Sequence, residues 1–387
     1  MPKIAQPALI RPKMPELDSL RGLAILAVTF YHGFFWSQGV TGLGAVARWF
    51  VLATLPGWLG VNLFFVLSGF LITGILCDTR GRRDYYARFY FRRAVRILPA
   101  YYALLILLEL LQPRAWKFWA LSTAYLSNFA PLFGIAVAYP VLWSLAVEEQ
   151  FYLLWPAVVR RLPANGVLSC ACVTIIATPF VRWIEFRHGR MEGLSFYTWN
   201  VADALATGAA LSILLRTLEK DRKWLTRFFL AIMLLSALLE AGGARFGILT
   251  KLRPIGAALQ VTPWNLTFAA VLGIALIVGT SDWKSLVLSP VLRFFGEISY
   301  GLYLIHLLIF QTYDRLSGKR FPDLPNIVGH FAAMWIRFGC VMIVAVGLSY
   351  LSRRYFEGYF LGFKDRRINS NSSLGAQEPR GSGLAKN

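Results

Sequence analysis

Residues 57–97 read GWLGVNLFFVLSGFLITGILCDTRGRRDYYARFYFRRAVRI. From Gly57 to Leu76 there is no charge, and at ~1.5 Å of rise per helical residue the run 58–76 reaches across a hydrocarbon core of ~30 Å. Directly after it come Arg80, Arg82, Arg83, Arg88, Arg92, Arg93 and Arg96, opposed by Asp78 and Asp84. A basic loop of this kind stays on the cytoplasmic side of a membrane. The stretch therefore reads as a membrane-crossing helix followed by an inner loop, and it sets the orientation of its neighbours.

Outward from it, apolar segments recur near 22–36, 98–112, 118–133, 141–159, 167–183, 198–215, 228–241, 263–280, 291–312 and 327–350. The chain of 387 residues is 57% hydrophobic and 16% charged, the composition of a multi-pass membrane protein and not of a soluble enzyme with one tether. A net charge of +20 would point to nucleic acid in a soluble chain; here it is read as orienting charge, and no nucleic-acid partner is expected. Cys77, Cys170, Cys172 and Cys340 lie in or beside apolar segments without CxxC spacing and read as packing residues. The basic, proline-rich start has no small-residue cleavage site after the first apolar run, so a cleaved signal peptide is not expected.

Charge sets the topology. The N-terminal tail carries Lys3, Arg11, Lys13 and Arg21, the 37–57 loop only Arg48, and both 216–227 and the tail from Arg353 have a basic excess. Both termini are then cytoplasmic, which requires an even number of crossings. Ten crossings result if 118–133, which is short and holds Ser122, Thr123, Ser127, Asn128 and Pro131, is a re-entrant or interfacial helix. Against this scheme stands the outer loop 242–262, with Arg245, Lys251 and Arg253 and no acid. The predicted fold is all-α: a polytopic membrane helix bundle of about ten transmembrane helices plus that one extra helix. It comprises a transmembrane domain over 1–350, with a short basic tail 1–19, and a cytoplasmic tail 351–387, disordered from about 368.

Ionisable side chains inside a span mark a functional site by default. By helical rise, His32 lies ~18 Å, Glu148 ~20 Å and His306 ~22 Å from the inner face, with Asp203 similar. They form one polar layer in the outer half. A lone intramembrane His also serves as a plain interhelical link, and Asp203 and Arg337 read as structural ion-pair partners. Arg93 and Arg96, three apart, share a helix face and suit a bidentate phosphate clamp; the alternative is a basic collar on anionic lipid. No GK[ST], GxGxxG or HExxH motif occurs, and no metal site is expected.

Four blocks in this order resemble the acyltransferase 3 family of bacterial envelope-modifying membrane acyltransferases: ELDSLRGLAILAVTFYH at 16–32, GWLGVNLFFVLSGFLIT at 57–73, FRRAVRILPAYY at 91–102 and WSLAVEEQFYLLWP at 143–156. A weaker fifth, ISYGLYLIH at 298–306, lacks the proline common soon after the His. The resemblance covers about 16–350. It implies His32 as catalytic base or transient acyl acceptor, Glu148 as the carboxylate that orients it, and Arg93 and Arg96, with Arg21, as the acyl-CoA clamp. It implies an acyl-CoA donor, acetyl-CoA in the first instance, and a hydroxyl acceptor on a glycan or small molecule. The inner bacterial membrane is the implied location. Some members continue into a soluble esterase-like domain, for which this sequence is too short, so transfer is expected to be completed either by the membrane domain itself or by a separate periplasmic partner. Asn62, Ser68, Tyr300, Tyr303 and His306 are candidate substrate-binding residues. The competing class is a transporter or flippase for an anionic or lipid-linked sugar, which the spans, the polar layer and the arginine-rich mouth would also suit.

Overall fold

The computed structural model describes residues 9–218, 221–248, 252–360 and 362, and among these there is no β-strand. Ten helices are of membrane-crossing length. They are α1 Pro15–Phe30, continued as a π-helix over Tyr31–Trp36, α2 Gly60–Thr79, α3 Tyr85–Leu111, α4 Leu142–Arg161 and α5 Ala164–Arg187. The rest are α6 Thr198–Thr217, α7 Arg222–Arg245, α8 Thr262–Val278, α9 Ser299–Arg320 and α10 His330–Leu351. Seven helical stretches are apolar enough to span on composition, eight when the short helix Pro290–Glu297 and α9, bent by 75°, count as one. The two long helices outside that set are α1 and α4, which are depleted in apolarity by the residues of the site, among them Arg21 and His32 on one and Glu148 and Glu149 on the other.

Three boundaries differ from the sequence reading. Of the basic stretch 77–97 only 80–84 is loop: α2 runs to Thr79, and α3 begins at Tyr85 and runs through Pro99, so Arg88, Arg92, Arg93 and Arg96 stand on a helix. Their long alkyl stems favour helix, and the alternating Tyr and Phe give α3 an apolar side to bury, with Tyr85 and Phe89 in the core. The tail 1–19 ends at Met14, because Pro15 opens α1. Leu9 and Ile10 are buried, and Arg11 bridges the buried Glu16 and the Gly279 carbonyl. Helix also continues past residue 350 as a π-helix over Ser352–Glu357. The tail expected to be disordered from 368 lies outside the described residues.

Segment 118–133 forms a helix over Trp116–Thr123 and a 3-10 helix over Ser127–Phe133, each too short to span. Its irregular backbone is held inside the protein by polar side chains, as membrane depth requires. Gln150 donates to the Tyr125 carbonyl (2.8 Å) and to Asn128 (3.0 Å), and Asn128 donates to Thr198 (3.0 Å).

Two reciprocal glycine crossings set the bundle's spacing. A Cβ on Gly69 would fall 1.9 Å from the Leu205 carbonyl oxygen, and one on Gly208 1.9 Å from that of Val66, so α2 and α6 touch backbone to backbone. Gly22 and Gly296 do the same between α1 and Pro290–Glu297. Small residues at such contacts are what allow close packing where lipid supplies no hydrophobic drive between helices. Gly208→Leu is expected to destabilise by about 3 kcal/mol or more, since rigid carbonyls must move apart. A lowered melting temperature of the detergent-purified variant is the readout, and an unchanged one would contradict the crossing.

Candidate active site

The site is laid out along α9. At its start Ser299 and Tyr300 border a cavity of about 370 Å³ whose wall carries Arg21, Arg88, Arg92, Arg93, Arg96 and Arg353. The acids there are Asp18, Glu297 and Glu357. One turn on, Tyr303 borders an inner chamber of about 110 Å³, with Ser68, Ser144, Glu148, Glu149 and Tyr152. Arg21, Arg93, Arg96, Ser299 and Tyr300 line both, so vestibule and chamber are continuous.

Helical periodicity explains why these side chains converge. On α4, Ser144, Glu148 and Tyr152 recur every four residues and share a face; on α2, Val61, Phe64, Phe65 and Ser68 do so. Tyr300 donates to the Ile97 carbonyl (2.8 Å), tying α9 to α3. The Arg93 guanidinium lies over the rings of Phe89 (5.9 Å) and Tyr152 (5.5 Å), which fixes its direction. Ser68 donates to Glu148 Oε1 (2.7 Å), and Ser144 and Tyr303 share a hydrogen bond of 2.6 Å across α4 and α9.

Beyond Tyr303 lies a pair of histidines. His306 Nε2 is 3.2 Å from His32 Nδ1. The partners assign the tautomers. His306 Nδ1 faces the carbonyls of Leu302 (3.0 Å) and Tyr303 (2.8 Å), so it carries the proton and its Nε2 is the acceptor. His32 Nδ1 faces the Val28 carbonyl (3.0 Å) and that acceptor, so it also carries its proton. His32 Nε2 is thereby left with its lone pair, the form required of a base or nucleophile. His32 occupies a π-helical turn, a widening found often at functional sites. Arg337 supports that turn: Nη1 donates to the Gly33 carbonyl (2.8 Å), while Nε and Nη2 grip Asp314 (2.6 and 2.8 Å).

The structure thus gathers Arg21, Arg93, Arg96, Ser68, Glu148, Tyr300 and Tyr303 around the vestibule and chamber and puts His32 against His306, one turn past Tyr303 on α9 and outside both linings. It does not join His32 to Glu148. The single polar layer expected from helical rise is not kept: Glu148 and the His32–His306 pair lie at different levels of the bundle. α4 and α9 are antiparallel and meet at Ser144 and Tyr303, which puts Glu148 about 6 Å to one side of that level and His306 about 4–5 Å to the other. Asn62 lies outside the passage, donating to Asn265 (2.9 Å) as an interhelical link. Asp203 pairs with Arg182 (2.8 Å), both fully buried, so Asp203 sits in a separate polar cluster. Glu149, Tyr152, Ser144 and Arg353 were not foreseen. The four-residue spacing in WSLAVEEQFY signals Ser144 and Tyr152; no local pattern signals Arg353, which reaches the vestibule from the far end of the chain.

Because His306 acts as the acceptor for His32, His306→Ala is expected to lower turnover ~10- to 100-fold, within the span assigned to positioned proton-transfer groups. His306→Gln, which keeps an acceptor, should recover part of the loss. Equal rates in the two variants would show that His306 only fills space.

Residues 14–354 match the acyltransferase domain family known as acyltransferase 3. The peptidoglycan O-acetyltransferase OatA of Listeria monocytogenes serovar 1/2a (strain ATCC BAA-679 / EGD-e) is 27% identical over 406 residues, covering 92% of this chain and 58% of the relative. The O-acetyltransferase OatA of Staphylococcus aureus (strain NCTC 8325 / PS 47) is 28% identical over 340 residues, covering 79% and 52%. This chain therefore spans a little over half the length of the curated relatives it matches. No solved structure matches it. A family match over nearly the whole chain, with relatives that are acetyltransferases, leaves the transporter reading without support. The protein belongs to the acyltransferase 3 family.

Proposed function

We propose that this protein moves an acetyl group from cytosolic acetyl-CoA to a hydroxyl of an envelope glycan, with peptidoglycan as the first acceptor to test. What supports this reading is the free Nε2 of His32, set by its contact with His306 one turn beyond the Tyr303 that lines the chamber. The vestibule supports the donor. CoA carries a diphosphate and a 3′-phosphate, and neither Arg93 nor Arg96 makes a salt bridge to a carboxylate among the described residues. Six arginines against three acids in the vestibule wall leave a cationic excess that favours a bound anion. The relatives' names support the acetyl group and the glycan.

In this reading the phosphates rest on Arg93 and Arg96, with Arg21, and the pantetheine arm runs through the chamber. Its amide N–H groups meet Glu148 and Glu149, so Glu148 aligns the donor and is not the partner of the base. Passage beyond Tyr303 requires the Ser144–Tyr303 contact to open. His32 Nε2 removes the proton of the acceptor hydroxyl as its oxygen attacks the thioester carbonyl. The ester C–O bond forms, the C–S bond breaks, and the thiolate takes the proton from Nε2. Throughout, Nδ1–H stays donated to Val28 and His306, which stabilises the imidazolium. The freed Tyr303 or Ser144 hydroxyl is the candidate donor to the oxyanion. The arginine face and both termini are assigned to the cytosol of a bacterial inner membrane from the excess of basic residues.

The test is incubation of membranes containing the protein with labelled acetyl-CoA and peptidoglycan. Alkali-labile label on the glycan should equal the thiol released. Thiol release with no labelled ester would sink the proposal.

A further inference from the structure

A second cavity lies on the other side of the histidine pair. Its volume is about 270 Å³, and Gln38, Tyr313, Asp314, Ser317, His330 and Arg337 stand in its wall. It shares no residue with the vestibule or the chamber. The order of residues on α9 shows the relation. Tyr300, about 9 Å before His306 along the helix, faces the arginine side; Tyr313, about 10 Å after it, faces the second cavity. α1 repeats the pattern: Arg337 in the cavity wall holds the Gly33 carbonyl beside His32, and Gln38 lies just past the π-turn. Along α9 the two cavities lie on opposite sides of His306.

The wall has the chemistry of sugar recognition. Gln38, Ser317 and His330 offer directional donors and acceptors, and Tyr313 with Phe321 and Pro322 offers flat apolar surface to the C–H face of a pyranose. Arg337 is already neutralised by two hydrogen bonds to Asp314. The Asp314 side chain is 44% exposed, so its remaining lone pairs are open to hydroxyl groups. Unlike the vestibule, this cavity presents no unopposed cation, which favours an uncharged polyol over a phosphate.

We propose that this cavity is the acceptor site, where an uncharged pyranose unit of the glycan binds and presents its hydroxyl to His32. The proposal rests on the transferase reading above. It names Tyr313, Asp314 and Ser317 as sugar-contacting residues.

The test is calorimetric titration of the full chain in nanodiscs with the soluble, uncharged tetrasaccharide of β-1,4-linked N-acetylglucosamine, without acetyl-CoA. Native protein should bind saturably. Gly318→Phe fills the cavity from a position whose added Cβ meets nothing within 4 Å, and it should weaken binding at least ~10-fold. Ser317→Trp, a second filler, should do the same, whereas Arg93→Gln with Arg96→Gln should leave saccharide binding unchanged. No saturable binding by native protein, or equal binding by both fillers at unchanged melting temperature, overturns the acceptor site. Acetyl transfer is measured on the same samples. Transfer without saccharide binding here removes the acceptor site and leaves the transferase reading. Binding blocked by the fillers with no transfer from acetyl-CoA keeps a sugar site and removes the transferase reading.

Discussion

Replacing His32 with Ala is expected to lower acetyl transfer ~10²–10⁴-fold while acetyl-CoA binding changes less than ~2-fold. The split follows from the geometry. His32 lines neither the vestibule nor the chamber, and on α9 Tyr303 stands between Tyr300 at the arginines and His306, so its removal takes away the base without touching the phosphate contacts. Its ring is held by Val28 and His306, neither of which belongs to the vestibule. Stopped-flow thiol release gives turnover, and equilibrium dialysis with labelled acetyl-CoA gives affinity. A variant that lost binding as severely as turnover would place His32 in donor recognition instead.

The second large effect is the converse. Arg93→Gln combined with Arg96→Gln should raise the KM for acetyl-CoA ~10²-fold or more, since each charge-assisted hydrogen bond to phosphate contributes about 1.5–3 kcal/mol. The residual turnover at saturating donor should fall far less. Native protein should also bind acetyl-CoA more weakly as salt rises, and the double variant should show a shallower salt dependence. An unchanged KM would return these arginines to the role of a collar on anionic lipid.

The helical class and the ten long segments were legible in the sequence because lipid imposes its own thickness on each apolar run. Residues 118–133 were separable for the same reason: too short and too polar to cross, they were expected to be a re-entrant or interfacial helix, and Gln150 and Asn128 tie them to α4 and α6. Charge gave the location of the arginines but not their secondary structure. The rule that marks 80–96 as an inner segment is indifferent to helix, and α3 extends through it. Neither the level nor the azimuth of these groups could be read from helical rise alone. His32, Glu148, His306 and Asp203 were placed in one layer by helical rise, yet their neighbours depend on how ten helices are arranged around each other. That arrangement is set by backbone contacts such as Gly69 on Leu205 and Gly208 on Val66, which no local pattern of polarity announces. Hence His32 meets His306, Glu148 meets Ser68 and Asp203 meets Arg182. The π-helical turn at Tyr31–Trp36 was likewise silent in the sequence, since its support comes from Arg337, some three hundred residues away.

Donor and acceptor are assigned to cavities on opposite sides of the histidine pair, so transfer at His32 carries the acetyl group from one face of the membrane to the other. The decisive measurement uses proteoliposomes with labelled acetyl-CoA sealed inside and peptidoglycan added outside. Acetyl ester is expected on the external glycan, with CoA thiol retained in the lumen and both signals lost in His32→Ala. Ester formed only on glycan enclosed with the donor, or equal transfer by the His32→Ala protein, would contradict this assignment.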